Sequence, residues 1–394
     1  MAEGNSKRPL TGMVNNLTGG AIPLPNLPEE IITEILLRLP VKALLKFRCV
    51  SKSWLSLISS PQFIKTHLKI STKNNIYSHN RLIFSSCPRS NVFHTFSLNP
   101  KIDEYSSVDT LLFDYPLSVD RDKPIRIVGS CNGLVCVVVG LGDVVLWNPS
   151  TGKMKKLPNS GRLGGTHYGF GYDESNDDYK VVQTCWINHD PDAYETPVEV
   201  YSLRTDSWRF VNWPGGYIFD GPGVFVNGAI HWRVNYDDNT RNWVVIAQNI
   251  MTETCSNLEL PMPVNDDDDP DVMLGICGGC LVMLGVCGGC LCAYYDHSRF
   301  MDIWMMKEYG MKDSWSKIVC FPYFSMKHQV HRRPKVLLVS ENGGSLVNLG
   351  SLLIMYKPPQ YHEILRLGYN VEVEAATYSE SLISPDFNHF AGAS

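Results

Sequence analysis

Apolar residues along this chain follow two different periods, and the change of period divides the molecule. Between Pro23 and Leu68 the string PLPNLPEEIITEILLRLPVKALLKFRCVSKSWLSLISSPQFIKTHL has helical spacing. Ile31, Ile32, Ile35, Leu36 and Leu39 fall on one face of a helix that opens just after Pro28. Glu29 and Glu30 then occupy its first turn, where carboxylates favour the positive end of the helix dipole. Pro40 ends that helix and can open the next, whose buried face is expected to be Leu44, Phe47 and Val50. Ser51 is placed to cap a third helix carrying Trp54, Leu57 and Ile58. Ser60-Pro61 repeats the same punctuation ahead of Phe63, Ile64 and Leu68. From about Ile76 the pattern changes to short alternating or continuous apolar runs punctuated by Gly, Asn and Asp, the pattern of strands and tight turns.

These strands repeat. An inner pair around a polar or glycine turn recurs at SCNGLVCVVV (130–139), YGFGYDESNDDYKVV (168–182), VFVNGAIHWRV (224–234), GVCGGCLCAYY (285–295) and LLVSENGGSLV (337–347). Each is followed by an outer pair: LWNPSTGKMKKLP, VEVYSLRTDSWRF, VIAQNIMTETCSNLELP, DIWMMKEYGMKDSWSKI and LLIMYKPPQYHEIL. A spacing of about 40 to 60 residues is that of four-stranded propeller blades. Segments 76–115 and 369–383 offer further strands that could make or close a first blade. Closure through both ends of the chain would remove the exposed edges of an open array. Trp147, Trp208 and Trp315 follow the outer turns; recurring positions of this kind favour packing between blades over a ring for stacking ligands.

One stretch, VMLGICGGCLVMLGVCGGCLCAYY (272–295), holds the same decamer twice, over 272–291, with one Ile/Val difference. Its length and lack of charge suggest a membrane helix, and Gly275/Gly279 and Gly285/Gly289 have the small-residue spacing of packed membrane helices. Asp271 and Asp296 bracket it, however, and its glycines weaken any helix. The pairs Cys277/Cys280 and Cys287/Cys290 suggest zinc. A strand from Cys280 to Cys287 would span about 23 Å, so the two pairs cannot converge on one ion unless that strand breaks, and one pair across a Gly-Gly turn offers only half a site. The favoured reading is strands 272–277, 280–287 and 290–295 joined by Gly-Gly turns. The decamer's even length preserves which side chains face inward.

Composition narrows the function. The chain has 394 residues, 44% hydrophobic, with formal charge -5 and pI near 6.1, so nothing draws it to nucleic acid or to an anionic membrane. Residues 1–21 lack the apolar run of a signal peptide, and the cytoplasm or nucleus is the expected location. The 12 cysteines are then expected to be reduced thiols. No nucleophile elbow, zincin, Walker or dinucleotide motif occurs, so no catalytic residue, metal ligand or cofactor is assigned. The acid-rich strings 173–178 and 266–271 lack calcium-loop spacing and are expected to be solvated turns. His167 and His231 have no evident carboxylate partner and are expected to be structural.

A module of some forty residues is at the lower limit of independent stability. Its helices either cap the domain that follows or present surplus apolar surface to a partner. The ordered sequence of a leucine-proline start, Glu34-Ile35-Leu36, Leu39-Pro40-Val41 and Val50-Ser51-Lys52-x-Trp54 resembles the F-box of plant proteins over nearly the whole module. GSCNGLVC, LWNPSTGK, YGFGYD, DYKVV, NGAIHW, DIWMMKEYG and DSW resemble the F-box-associated domain of plant F-box/kelch-like proteins over roughly 129–385. The resemblance implies a mainly β chain: a tail over 1–22, a small three- or four-helix F-box over 23–68, and a kelch-like β-propeller over 69–394. It implies binding to a Skp-type adaptor, and through it to cullin and a RING subunit of a ubiquitin ligase, with the propeller holding a protein substrate. The motif's hydrophobic positions are Leu27, Pro28, Ile32, Ile35, Leu36, Leu39, Pro40, Leu44 and Val50, some of which will be the module's own core. Substrate-binding residues are not identified. The rival readings are a propeller enzyme with a helical cap and a Skp-bound protein outside any ligase.

Overall fold

The computed structural model describes residues 27–73, 80–85, 91–98, 109–113, 124–161, 165–185, 197–213, 217–235, 243–261, 281–287, 290–296, 300–322, 335–339, 344–349, 351–357, 360–366 and 373–386. Four helices come first: α1 (Glu29–Leu37), α2 (Val41–Phe47), α3 (Lys52–Ser59) and α4 (Pro61–Lys73). Their ends lie where the sequence punctuates them. Ser51 Oγ accepts the Trp54 backbone N–H at 3.1 Å, capping α3, and Ser60 Oγ accepts that of Phe63 at 3.2 Å. Each oxygen satisfies a donor that the first helical turn leaves unpaired.

The strands form six antiparallel sheets. β4 (Ile125–Cys131) to β7 (Met154–Lys156) make one, with β5 (Leu134–Val139) and β6 (Asp143–Trp147) between them. The next contains β8 (Gly165–Asp173), β9 (Asp178–Cys185), β10 (Val198–Ser202) and β11 (Ser207–Val211). In the following sheet the inner strand is split into β12 (Ile218–Phe219) and β13 (Val224–Val226), both paired to β14 (Ala229–Asn235), with β15 (Trp243–Asn249) and β16 (Cys255–Leu258) outside. Then come β17 (Leu281–Cys287), β18 (Cys290–Asp296), β19 (Phe300–Met306) and β20 (Trp315–Pro322), and after them β21 (Lys335–Val339), β22 (Ser345–Asn348), β23 (Leu352–Lys357) and β24 (Gln360–Arg366).

The remaining sheet draws on both ends of the chain, in the order β25 (Glu374–Ser379), β1 (Asn80–Ser85), β2 (Val92–Ser97), β3 (Asp109–Leu112). The innermost strands adjoin one another in the cycle β25, β4, β8, β13, β17, β21 and back to β25. The fold is therefore a closed six-bladed propeller. Arg81 on β1 reinforces the closure with ion pairs to Asp109 on β3 and to Glu380 just past β25, at 2.8 and 3.1 Å.

All five repeated inner pairs are the first hairpins of blades two to six, and the outer pairs are their third and fourth strands. In blade five, β17 and β18 use the second decamer, with Cys287 opposite Cys290 and two residues between them. The expected strand over 272–277 lies outside the described residues, as does the acid-rich string 266–271.

Candidate docking surface

Helix α1 separates the apolar positions that its period groups together. Leu36 and Leu37 are buried, and Ile32 and Leu39 pack partly against the same core. Leu27, Ile31 and Ile35 remain exposed at 57%, 47% and 48%. At about 100° per residue, the apolar arc from Ile31 to Leu36 is too wide for one interface, and the module itself covers only one side of it. Ile31 and Ile35, four apart, lie along one outer side of the helix, and Leu27 is exposed just ahead of it.

Two other exposed apolar residues belong to this module: Val50, ahead of α3, at 59%, and Leu55 on α3 at 47%. Pro28 and Pro40 are exposed as the residues before α1 and α2. Val50 was expected in the buried face of α2; that helix ends at Phe47, and Val50 lies beyond it in the turn to α3. The motif positions therefore divide by exposure. Leu36 and Leu44, at 1% and 0% exposure, are interior, together with Ile58. Ile32 and Leu39 are half-buried against the same core, and Leu27, Pro28, Ile35, Pro40 and Val50 face outward. Ile31 and Leu55 join the outward group without being singled out by the motif. The spacing of four from Ile31 to Ile35 would have shown the first, whereas nothing in the sequence marks Leu55.

The module is seated on the propeller. Its interior residues Leu36, Leu37, Val41, Leu44, Phe63 and Ile64 share one core with residues of blades two and three and with Leu382 and Ile383. Lys65 Nζ on α4 meets Asp177 Oδ2 at 2.6 Å in the β8–β9 turn, and Asp177 Oδ1 accepts the Tyr172 hydroxyl. Asp173 and Asp178, expected in a solvated turn, are instead buried. Asp173 accepts from the backbone N–H groups of Ser175 and Asn176 and pairs with Lys180 Nζ at 2.8 Å. Burial opposes its ionisation, but the Asn176 side-chain amide at 2.9 Å, Lys180 and the Asn176 N–H outweigh it and hold the carboxyl below the usual range. Asp178 accepts from Ser202 Oγ and the Arg204 N–H. The acidic residues shape the turn.

The tryptophans join blades. Trp147 on β6 packs against Phe93 and Phe113 of blade one, with ring centroids 5.3 and 5.1 Å away. Trp208 Nε1 donates across to the Pro158 carbonyl and Trp315 Nε1 to that of Glu259, each on the preceding blade. His231 is buried between the Val224 carbonyl and the Tyr309 hydroxyl, and burial pushes its pKa down to about 4. His167 is also lowered to about 4, by burial and then by the nearby Arg126. Among the described residues, the innermost strands contain two carboxylates, Asp173 and Glu374. The Ile127 N–H occupies Glu374 Oε2 at 2.9 Å. Among the described residues no group of three or more His, Cys, Asp or Glu side chains is arranged to hold a metal, and no helix is long and apolar enough to cross a membrane.

Family comparison agrees with this architecture. Residues 24–66 match the F-box domain and 85–382 the F-box associated beta propeller domain. An F-box/kelch-repeat protein of Arabidopsis thaliana is 33% identical over 318 residues, spanning 75% of this chain and 80% of that one. The F-box protein CPR1 of Arabidopsis thaliana is 29% identical over 75% of this chain and 73% of its own length. Among solved structures, TolB from Acinetobacter baumannii aligns with a TM-score of 0.46 at 11% identity, over 76% of this chain and 66% of that one.

Proposed function

The chain belongs to the F-box proteins that carry an F-box-associated β-propeller, and from that premise we propose that it is the substrate-recognition subunit of a cullin-based ubiquitin ligase. The F-box docks on a Skp-type adaptor, the adaptor brings cullin and the RING subunit, and the propeller binds a protein substrate. The chain itself is not an enzyme. Its contribution is effective concentration, because a substrate held near the recruited conjugating enzyme is modified in a nearly intramolecular step. The cytoplasm or nucleus is the corresponding location.

The observation that carries this reading is the exposure of Ile31 and Ile35 along α1, with Leu27, Val50 and Leu55, on a module whose core is already filled by Leu36, Leu44 and Ile58. A simple cap would bury its apolar surface in the chain it covers. This one leaves an apolar side facing outward, as helix-in-groove partners do. The propeller-enzyme alternative calls for carboxylates converging at the axis, but both inner-strand carboxylates are engaged in structural hydrogen bonds.

The test is co-purification with a Skp-type adaptor. Ile31→Asp with Ile35→Asp places two charges on the outward stripe and is expected to abolish capture while thermal unfolding stays close to wild type. Capture at wild-type level by the double variant would remove the adaptor role.

A further inference from the structure

We propose that Ser381, Leu382 and Ile383, directly after β25, act as a bolt that seats the helical module on the ring, and that Asn148 is the positioning residue that holds the bolt. Asn148 comes from LWNPSTGK, in the turn between β6 and β7, and is fully buried. Its Oδ1 accepts the backbone N–H groups of Ser150 and Thr151 at 2.8 and 3.3 Å. Those bonds fix the amide plane, and Nδ2 then donates to the Ser381 carbonyl at 3.0 Å and to the Ile383 carbonyl at 2.7 Å.

These two carbonyls lie beyond the last strand, so no sheet partner satisfies them, and a buried backbone acceptor without a donor is costly. A single asparagine serves both. Beside it, Ser130 Oγ donates to the Thr377 carbonyl, and Gly133 lies so close to Ser379 and Ser381 that a Cβ there would overlap Ser381 Oγ. The segment is therefore held along the ends of the blade-two strands. Leu382 and Ile383, both buried, are in the same core as Leu36, Val41, Leu44, Phe63 and Ile64 of the helices.

Ring closure and helix seating thus meet in one short segment. β25 closes the propeller, and the residues that follow it complete the apolar floor under the helices. In one respect this rests on the adaptor reading: a fixed seat holds the outward stripe of α1 in a single orientation relative to the propeller. The seating itself can be measured without any adaptor.

The experiment is hydrogen exchange on the full-length chain, alone in solution. Asn148→Asp keeps an acceptor for Ser150 and Thr151 but turns a carboxylate oxygen toward the Ser381 and Ile383 carbonyls. Peptides covering α2 to α4 are expected to exchange roughly tenfold faster or more, while β1 and β14 keep their protection. A second variant ending at Glu380 leaves every blade strand and the Arg81–Glu380 ion pair intact and is expected to show the same selective loss. Unchanged exchange in the helices of either variant overturns the proposal. So does loss of protection spreading equally to β14, because the segment would then support the whole ring and not the helical seat.

Discussion

Replacing Gly133 with alanine tests the packing of the carboxy-terminal segment against a matched control elsewhere in the ring. Asn132 and Gly133 have φ of 52° and 83° and join β4 to β5; Asn227 and Gly228, at 50° and 76°, join β13 to β14 in the same way. Both are two-residue turns that need positive φ at each central position. Alanine in that region costs about 1–2 kcal/mol at either site. Around Gly228 a new Cβ meets open space, so Gly228→Ala should cost that and no more. At Gly133 the Cβ overlaps Ser381 Oγ and comes within 2.6 Å of the Ser379 carbonyl oxygen. The serine side chain can rotate, but the carbonyl belongs to a strand paired with β1 and cannot withdraw without disturbing the closure. Overpacking of this kind adds about 1–3 kcal/mol, so Gly133→Ala should exceed Gly228→Ala by that amount. Urea titration of both variants with unchanged slope measures the difference directly. If unfolding proves irreversible, inactivation half-lives at one temperature rank the two. A gap below about 0.5 kcal/mol, the ordinary scatter of surface substitutions, would show that the segment does not press on this turn.

Other outcomes follow from individual side chains. Leu44→Ala should cost about 2–5 kcal/mol by thermal melt, as an interior truncation does, whereas Leu55→Ala, on the outward face, should stay within about 0.5 kcal/mol. Trp208→Phe and Trp315→Phe each remove one interblade hydrogen bond and should each cost about 1 kcal/mol. Their effects should add, because they lie at separate blade junctions. His231 stays neutral in the fold down to about pH 4, while the unfolded chain takes up that proton near pH 6.5. The unfolded state therefore binds more protons in that window. Stability should be complete above pH 6.5 and fall as pH drops toward 4, with His167 acting in the same direction. A urea midpoint that is flat between pH 7 and 5 would contradict it.

Much of this was legible in the sequence. Helix starts were marked by residues whose function is local, such as Ser51 and Ser60, and a cap requires nothing beyond its own turn. Inner hairpins were marked by turn chemistry, as at Asn132-Gly133 and Asn227-Gly228. The six blades could not be counted, because blade one has no repeated motif and takes its inner strand from residues 374–379. What periodicity could not give was the direction of each apolar face. Ile31 and Ile35 share an arc with Ile32 and Leu36, and only the packing of α4 and the propeller decides which half is covered. Val50 misleads for a related reason: its spacing continues α2, but the chain has already left that helix. Asp173 and Asp178 read as solvated because acid-rich strings usually are, and their partners Lys180 and Ser202 become neighbours only through strand pairing. The split into β12 and β13 had no sequence signal beyond Gly221-Pro222-Gly223.

The origin of β25 has a consequence for how the molecule is made. Ribosomes add about 5–20 residues per second, and some 290 residues separate β1 from its partner at 374–379. For roughly 15–60 s each nascent chain carries β1 with one side of its backbone ladder bare, a template for pairing with a neighbouring nascent chain. The apolar run at 272–295 emerges within that interval. How quickly the last strand arrives, and whether a chaperone shields the bare edge until then, should govern the yield of functional protein in cells more than the stability of the finished ring does.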